Sequence, residues 1–156
     1  MAKKIFENRL TIDFMHSAAK AKKTYERIFH DIAKAEKLTQ NEVDVLLCLW
    51  NNPGYDTASD IVNYRMISKS HVCKAVDSLT ERGYLSGRQE AADRRKVHLK
   101  IEPPAEEVVR RLAAVQMQFI SGLFDGVTEE EQALFEKILD KMGQNMEGVY
   151  KKWCSN

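Results

Sequence analysis

Ser68, Lys69, Ser70, His71 and Lys74 form the most chemically suggestive run in the chain. Through the same stretch Val72, Ala75, Val76 and Leu79 recur at steps of three and four, the spacing of an inward helix face. With those set aside, the outward set is Lys69, Ser70, His71, Lys74 and Ser78. Serine and histidine can donate to or accept from base edges, and lysine suits guanine acceptors or phosphates. A helix that enters a major groove needs such short polar or basic side chains on its outer, N-terminal face. A second group follows, Arg88 and then Asp93-Arg94-Arg95. An aspartate can hold one guanidinium by a bidentate pair. Arginine is drawn into the concentrated negative potential of a narrow minor groove.

Charge is distributed to match. Net charge is only +1, but residues 65–101 hold nine basic and four acidic side chains, a local charge of +5, with His71 and His98 besides. Residues 1–64 balance at zero, and residues 102–156 carry −4. A basic middle in a neutral-to-acidic frame is the footprint of a nucleic-acid-reading module.

The elements that must position these groups are legible from local signals. Phe6, Leu10, Phe14, Ala18, Ala21, Tyr25, Ile28 and Ile32 mark one face of a long first helix. At ~1.5 Å per residue it would span ~40 Å, more than a small module needs, so part of the stripe should seek a partner elsewhere. Thr39-Gln40-Asn41-Glu42 is a capping box opening a helix that carries Val43, Leu46, Leu47 and Trp50 and stops at Asn51-Asn52-Pro53-Gly54. Thr57-Ala58-Ser59-Asp60 opens a short helix with Ile61, Val62 and Met66. Ser68 caps the next, and Gly83 is placed to end it in a left-handed conformation. Val97, Leu99 and Ile101 then alternate with His98 and Lys100, the period of a half-buried strand, returning from Tyr84-Leu85 across a charged tip. Pro103-Pro104 begins a helix with Val108, Leu112, Val115, Phe119 and Leu123 inward, ended by Gly126. Thr128 to Glu131 caps a last helix showing Leu134, Ile138, Met142, Met146, Val149 and Trp153.

Three short helices followed by a hairpin make a winged helix-turn-helix, mainly α with a small β-hairpin wing (α+β), between long terminal helices. Here the resemblance becomes specific. Ser68 to Leu85 resembles the recognition helix and following strand of the MarR family of regulators, and Asp93-Arg94-Arg95-Lys96-Val97-His98-Leu99 resembles that family's wing. The likeness runs the length of the chain. It implies residues 1–36 as a dimerisation helix, 37–102 as the DNA-binding module and 103–156 as C-terminal dimerisation helices. It implies a homodimer on double-stranded DNA, with Ser68, Lys69, Ser70, His71 and Lys74 in the major groove. Arg88, Asp93, Arg94 and Arg95 would be the wing contacts. Relatives often respond to a small aromatic or anionic effector, which points to a repressor released by a ligand. Two departures stand out: Gly87 where many relatives have arginine, and Ile101-Glu102-Pro103-Pro104 where they have Leu-Thr and glycine.

Other chemistries lack their residues. Thr11 stands where peroxide-sensing relatives carry a cysteine. Cys48 lies in an apolar run and reads as inert core, Cys73 as partly buried, and Cys154 carries no inference. His16 and His30 are ~21 Å apart along one helix and cannot share a metal ion. No phosphate loop, nucleophile elbow or zinc-hydrolase signature occurs, so no enzyme activity and no cofactor is expected. The longest apolar run, Val45 to Trp50, is six residues, too short for a membrane span, and the charged N-terminus is not that of a signal peptide. A cytoplasmic protein is expected. Phe14, Tyr25 and Trp50 are read as core residues, and no ligand site is assigned. The alternative function is a winged-helix protein-protein interaction module without DNA binding.

Overall fold

The computed structural model describes residues 2–91, 93 and 96–154, apart from the side chains of residues 2–8, 10, 147 and 154. The chain divides into two units, Met1–Met117 and Gln118–Asn156. The first contains α1 (Ala2–Ala35), α2 (Gln40–Asn51), α3 (Ala58–Arg65), α4 (Lys69–Glu81), β1 (Leu85–Gln89), β2 (Val97–Ile101) and most of α5 (Pro103–Leu123). The second holds the end of α5 and α6 (Glu129–Cys154).

The helix starts follow their caps. Thr39 Oγ1 accepts from Glu42 N at 3.3 Å while Glu42 Oε2 accepts from Thr39 N at 2.6 Å. Thr57 and Asp60 repeat the arrangement for α3, and Ser68 accepts from His71 N at 3.4 Å to open α4. Gly83 ends α4 at φ +70°, with Tyr84 N donating to Leu79 O and Gly83 N to Thr80 O. That pattern needs a left-handed residue, which glycine adopts without a Cβ clash.

α2 is the centre of the module. Val43, Val45, Leu46, Leu47 and Cys48 are all buried, because α1, α3, α4 and β2 pack around it. A helix enclosed on most sides does not show a single stripe. The one-face reading therefore misassigned Trp50, which is 40% exposed. α1 differs too. Its core contacts come from Phe29 and Ala33, with Tyr25 and Ile32 packed beside them, whereas Phe14 and Ile28 are exposed. Among the described side chains of this 34-residue helix, those that reach the core lie in its last turns. Met66 is exposed, not inward, because α3 ends at Arg65 and Met66 turns left-handed at φ 54°. From α5, Ala105, Val108, Val109 and Leu112 are buried and Val115 half-buried, but Leu123 is exposed.

β1 and β2 form an antiparallel hairpin running in register from Leu85↔Ile101 to Gln89↔Val97. Leu85 and Leu99 enter the core. A two-stranded hairpin is marginal alone, and its other edge is held by Leu99 N donating to Asp56 O at 2.7 Å and by a bridge between Thr57 and His98.

Polar contacts fix α4 and α5 to the end of α1. Arg82 donates to Lys37 O at 3.0 Å and lies over the Tyr84 ring, 4.5 Å from its centroid. Arg111 makes a bidentate pair with Glu36 at 2.7 and 3.1 Å.

In the second unit Gly126 takes φ +77°, and Thr128 with Glu131 forms the capping box of α6. Phe124 and Phe135 meet edge to face, centroids 6.0 Å apart. Leu134, Ile138, Met142, Met146, Val149 and Trp153 all stay exposed along α6. Among the described residues no helix is long and apolar enough to cross a membrane.

Candidate nucleic-acid interface

α4 separates its faces as its spacing predicts. Val72, Ala75 and Leu79 are buried, and Val76 packs against the core. Lys69, Ser70, His71 and Lys74 are exposed together on the N-terminal turns, with the capping Ser68 Oγ 3.2 Å from Ser70 Oγ. An amphipathic helix seated this firmly presents its outer side chains from a rigid base.

Ser78 departs from the outward set. It is half-buried, and its hydroxyl donates to Glu42 Oε1 at 2.6 Å. Glu42 is the buried charged residue among the described core, 4% exposed. Both of its oxygens are engaged, one by the Thr39 amide and one by Ser78. Burial works against its charge, but the hydrogen bonds from Ser78 and Thr39, helped by Arg82, hold the carboxyl below its usual range. One capping residue thus opens α2 and also ties it to α4. The capping box was readable in the sequence; its reach to α4 was not. Thr39, Asn41 and Glu42 face His71, Lys74 and Ser78 across a shallow cleft of about 210 Å³.

On the hairpin, Arg88 is exposed on β1 and lies opposite His98 in the register. The tip is closed by Glu90 N donating to Lys96 O and Lys96 N to Asp93 O, both at 2.9 Å. Asp93 is half-buried, while Arg94 and Arg95, and with them the expected guanidinium pairing, lie outside the described residues. A side chain at Gly87 would place its Cβ 2.7 Å from Val97 Cγ1, so Gly87 and Val97 fit as a pair. This gives the departure at position 87 a packing reason.

His98 was read only as the polar partner in an alternating strand, yet its ring meets carboxylates from two separate segments. Its Nδ1 lies 2.8 Å from Asp56 Oδ1 and its Nε2 3.6 Å from Glu90 Oε2. Cys48 is buried, and burial pushes its thiol up; Cys73 is half-buried on α4. Among the described residues no group of three His, Cys, Asp or Glu could hold a metal ion.

Comparison with known proteins agrees with this geometry. Residues 36–96 match the model of the MarR family. YwhA of Bacillus subtilis (strain 168), an uncharacterised HTH-type transcriptional regulator, is 25% identical over 129 residues, covering 83% of this chain and 91% of its own. The structure of Bordetella bronchiseptica BpsR, whose DNA binding is regulated by 6-hydroxynicotinic acid, is 25% identical with a TM-score of 0.63, covering 84% of this chain and 98% of that one. A MarR-family regulator from Silicibacter pomeroyi shares the fold at 20% identity and TM-score 0.72, covering 81% of this chain and 84% of its own.

Proposed function

We propose that this chain, whose residues 36–96 match the model of the MarR family, is a winged helix-turn-helix transcription regulator: a homodimeric, sequence-specific repressor that binds duplex DNA and is released by a small aromatic or anionic effector. The observation that carries this reading is α4, its inner face packed in the core and Lys69, Ser70, His71 and Lys74 exposed at its N-terminal end within a stretch of charge +5. Ser68, Lys69, Ser70, His71 and Lys74 enter the major groove, with Ser70, His71 and Lys74 against base edges, and Arg88 with the Asp93-Arg94-Arg95 tip grips the backbone and minor groove. In this reading residues 37–102 are the DNA module, and residues 1–36 and 103–156 supply the dimer interface. Exposed Ile12, Phe14 and Met15 on α1 and the apolar stripe of α6 support that assignment, because large unpartnered apolar surfaces mark association sites. The similarity to BpsR supports an aromatic acid as the class of effector. The family and fold are those of transcription regulators and not of enzymes.

Affinity for random-sequence duplex, measured against salt, tests the reading. A protein making ~6–10 phosphate contacts loses ~10³–10⁵ in affinity between 50 and 200 mM salt through counterion release. Absence of duplex binding at 50 mM, together with salt-insensitive capture of one protein partner, would establish an interaction module instead.

A further inference from the structure

We propose that His98 is a positioning residue that braces the wing against the loop before α3, and that DNA affinity therefore falls as its imidazolium is titrated. The proposal rests on the DNA-binding reading above. It starts from the fact that both ring nitrogens face carboxylates from separate segments. Nδ1 is 2.8 Å from Asp56, on the loop between α2 and α3, and Nε2 is 3.6 Å from Glu90, at the base of the wing tip. A neutral imidazole carries one N–H and can serve only one acceptor, whereas the imidazolium donates from both nitrogens. Only the cation can therefore hold loop, strand and tip at once.

The backbone shows why the brace matters. Leu99 N to Asp56 O and the Thr57–His98 bridge attach β2 to the same loop that His98 grips by its side chain. On the tip side, Lys96 Nζ lies 3.8 Å from Glu90. Arg88 is the cross-strand neighbour of His98, and Lys100 stands two residues along the same strand. Lys96 and Asp60, the latter engaged by Thr57, line the cleft of about 410 Å³ between α3 and β2. Loss of solvent opposes the imidazolium, and Asp56 and Glu90 favour it. The balance raises the His98 pKa, with the Asp56 hydrogen bond the largest cause. The sign follows: the brace is complete at low pH and is lost as pH rises through this raised value. The 3.6 Å arm to Glu90 lets go first, freeing the root of the tip that bears Asp93 and the arginines.

His71 is also an imidazole at the proposed interface, so the test is made in an H71Q background. Affinity for random-sequence duplex is measured from pH 5.5 to 8.5 at fixed salt, and the imidazole resonances of the free protein are titrated alongside. The expected result is an affinity loss of about three-fold, modest because the pair is partly exposed, centred on the His98 titration. Adding H98Q gives the lower affinity at every pH and removes the inflection. Adding D56N moves both the imidazole pKa and the affinity inflection to lower pH. An inflection that persists unchanged with H98Q overturns the proposal, as does a His98 pKa that D56N leaves in place. Absence of duplex binding by the wild type at every pH, with a normal His98 titration, would instead overturn the DNA-binding reading and leave the brace standing in the free protein.

Discussion

Ile138→Asp converts the protein to a monomer at micromolar concentration while its helical content is retained. Ile138 lies in the middle of the exposed stripe formed by Leu134, Met142, Met146 and Trp153 on α6, and is itself 45% exposed. Each of these side chains is a liability in water and a gain when covered. In a symmetric dimer the substitution enters twice. At ~2 kcal/mol or more per copy for a central apolar contact, the pair of changes weakens self-association by about a thousandfold. Duplex affinity falls with it, because the second half-site is then no longer engaged at the high effective concentration that linkage provides. Analytical ultracentrifugation and circular dichroism check the two parts, and Ile138→Leu serves as the apolar control. A dimer that survives Ile138→Asp places the interface elsewhere.

Arg95→Ala weakens binding to every duplex by a similar factor. The charged tip follows β1 and precedes β2, and the residues that bound it, Asp93 and Lys96, close a tight turn by a 2.9 Å hydrogen bond. On the DNA-binding reading proposed above, a cation carried there meets phosphates and the minor-groove wall, features common to all sequences. Removing one phosphate contact lowers the magnitude of the salt slope by ~1 for each wing and costs about tenfold in affinity at low salt. Fluorescence anisotropy on several unrelated duplexes, across a salt series, reads both. An unchanged slope means that the wing tip does not touch DNA.

What could be read in the sequence was what is decided locally. The boxes at Thr39 and Thr128, the helix start at Thr57, the left-handed stop at Gly83 and the strand through Leu99 each depend on a few neighbouring residues, and each is present in the fold, although Val97 is exposed at the strand's start. The outward face of α4 was legible for the same reason: one helix and one period. What was missed depends on segments far apart in the chain. Ser78 reaches Glu42 across 36 positions, and His98 reaches Asp56 across 42, so neither pairing leaves a local pattern. α1 misled because its apolar residues serve two surroundings: Phe29 and Ala33 enter the core, while Phe14 does not. Trp50 misled because α2, being enclosed, has no single apolar stripe to extrapolate along. The charged tip was predicted from its residue types, but the brace at its root needed the loop before α3 to be seen beside β2.

The central claim is that the exposed N-terminal face of α4 reads sequence. Selection of bound duplexes from a random pool, with the wild type and with Ser70→Ala, His71→Ala and Lys74→Ala, tests it most directly. Each base contact is worth ~1–3 kcal/mol of discrimination, so losing one relaxes a half-site position by about tenfold or more. The account predicts that the wild type selects a near-palindrome whose half-site centres are ~34 Å apart, one turn of the duplex. It further predicts that the variants lose preference at matching positions in both halves. Recovery of the same motif by all three variants, or of no motif by the wild type, would contradict it.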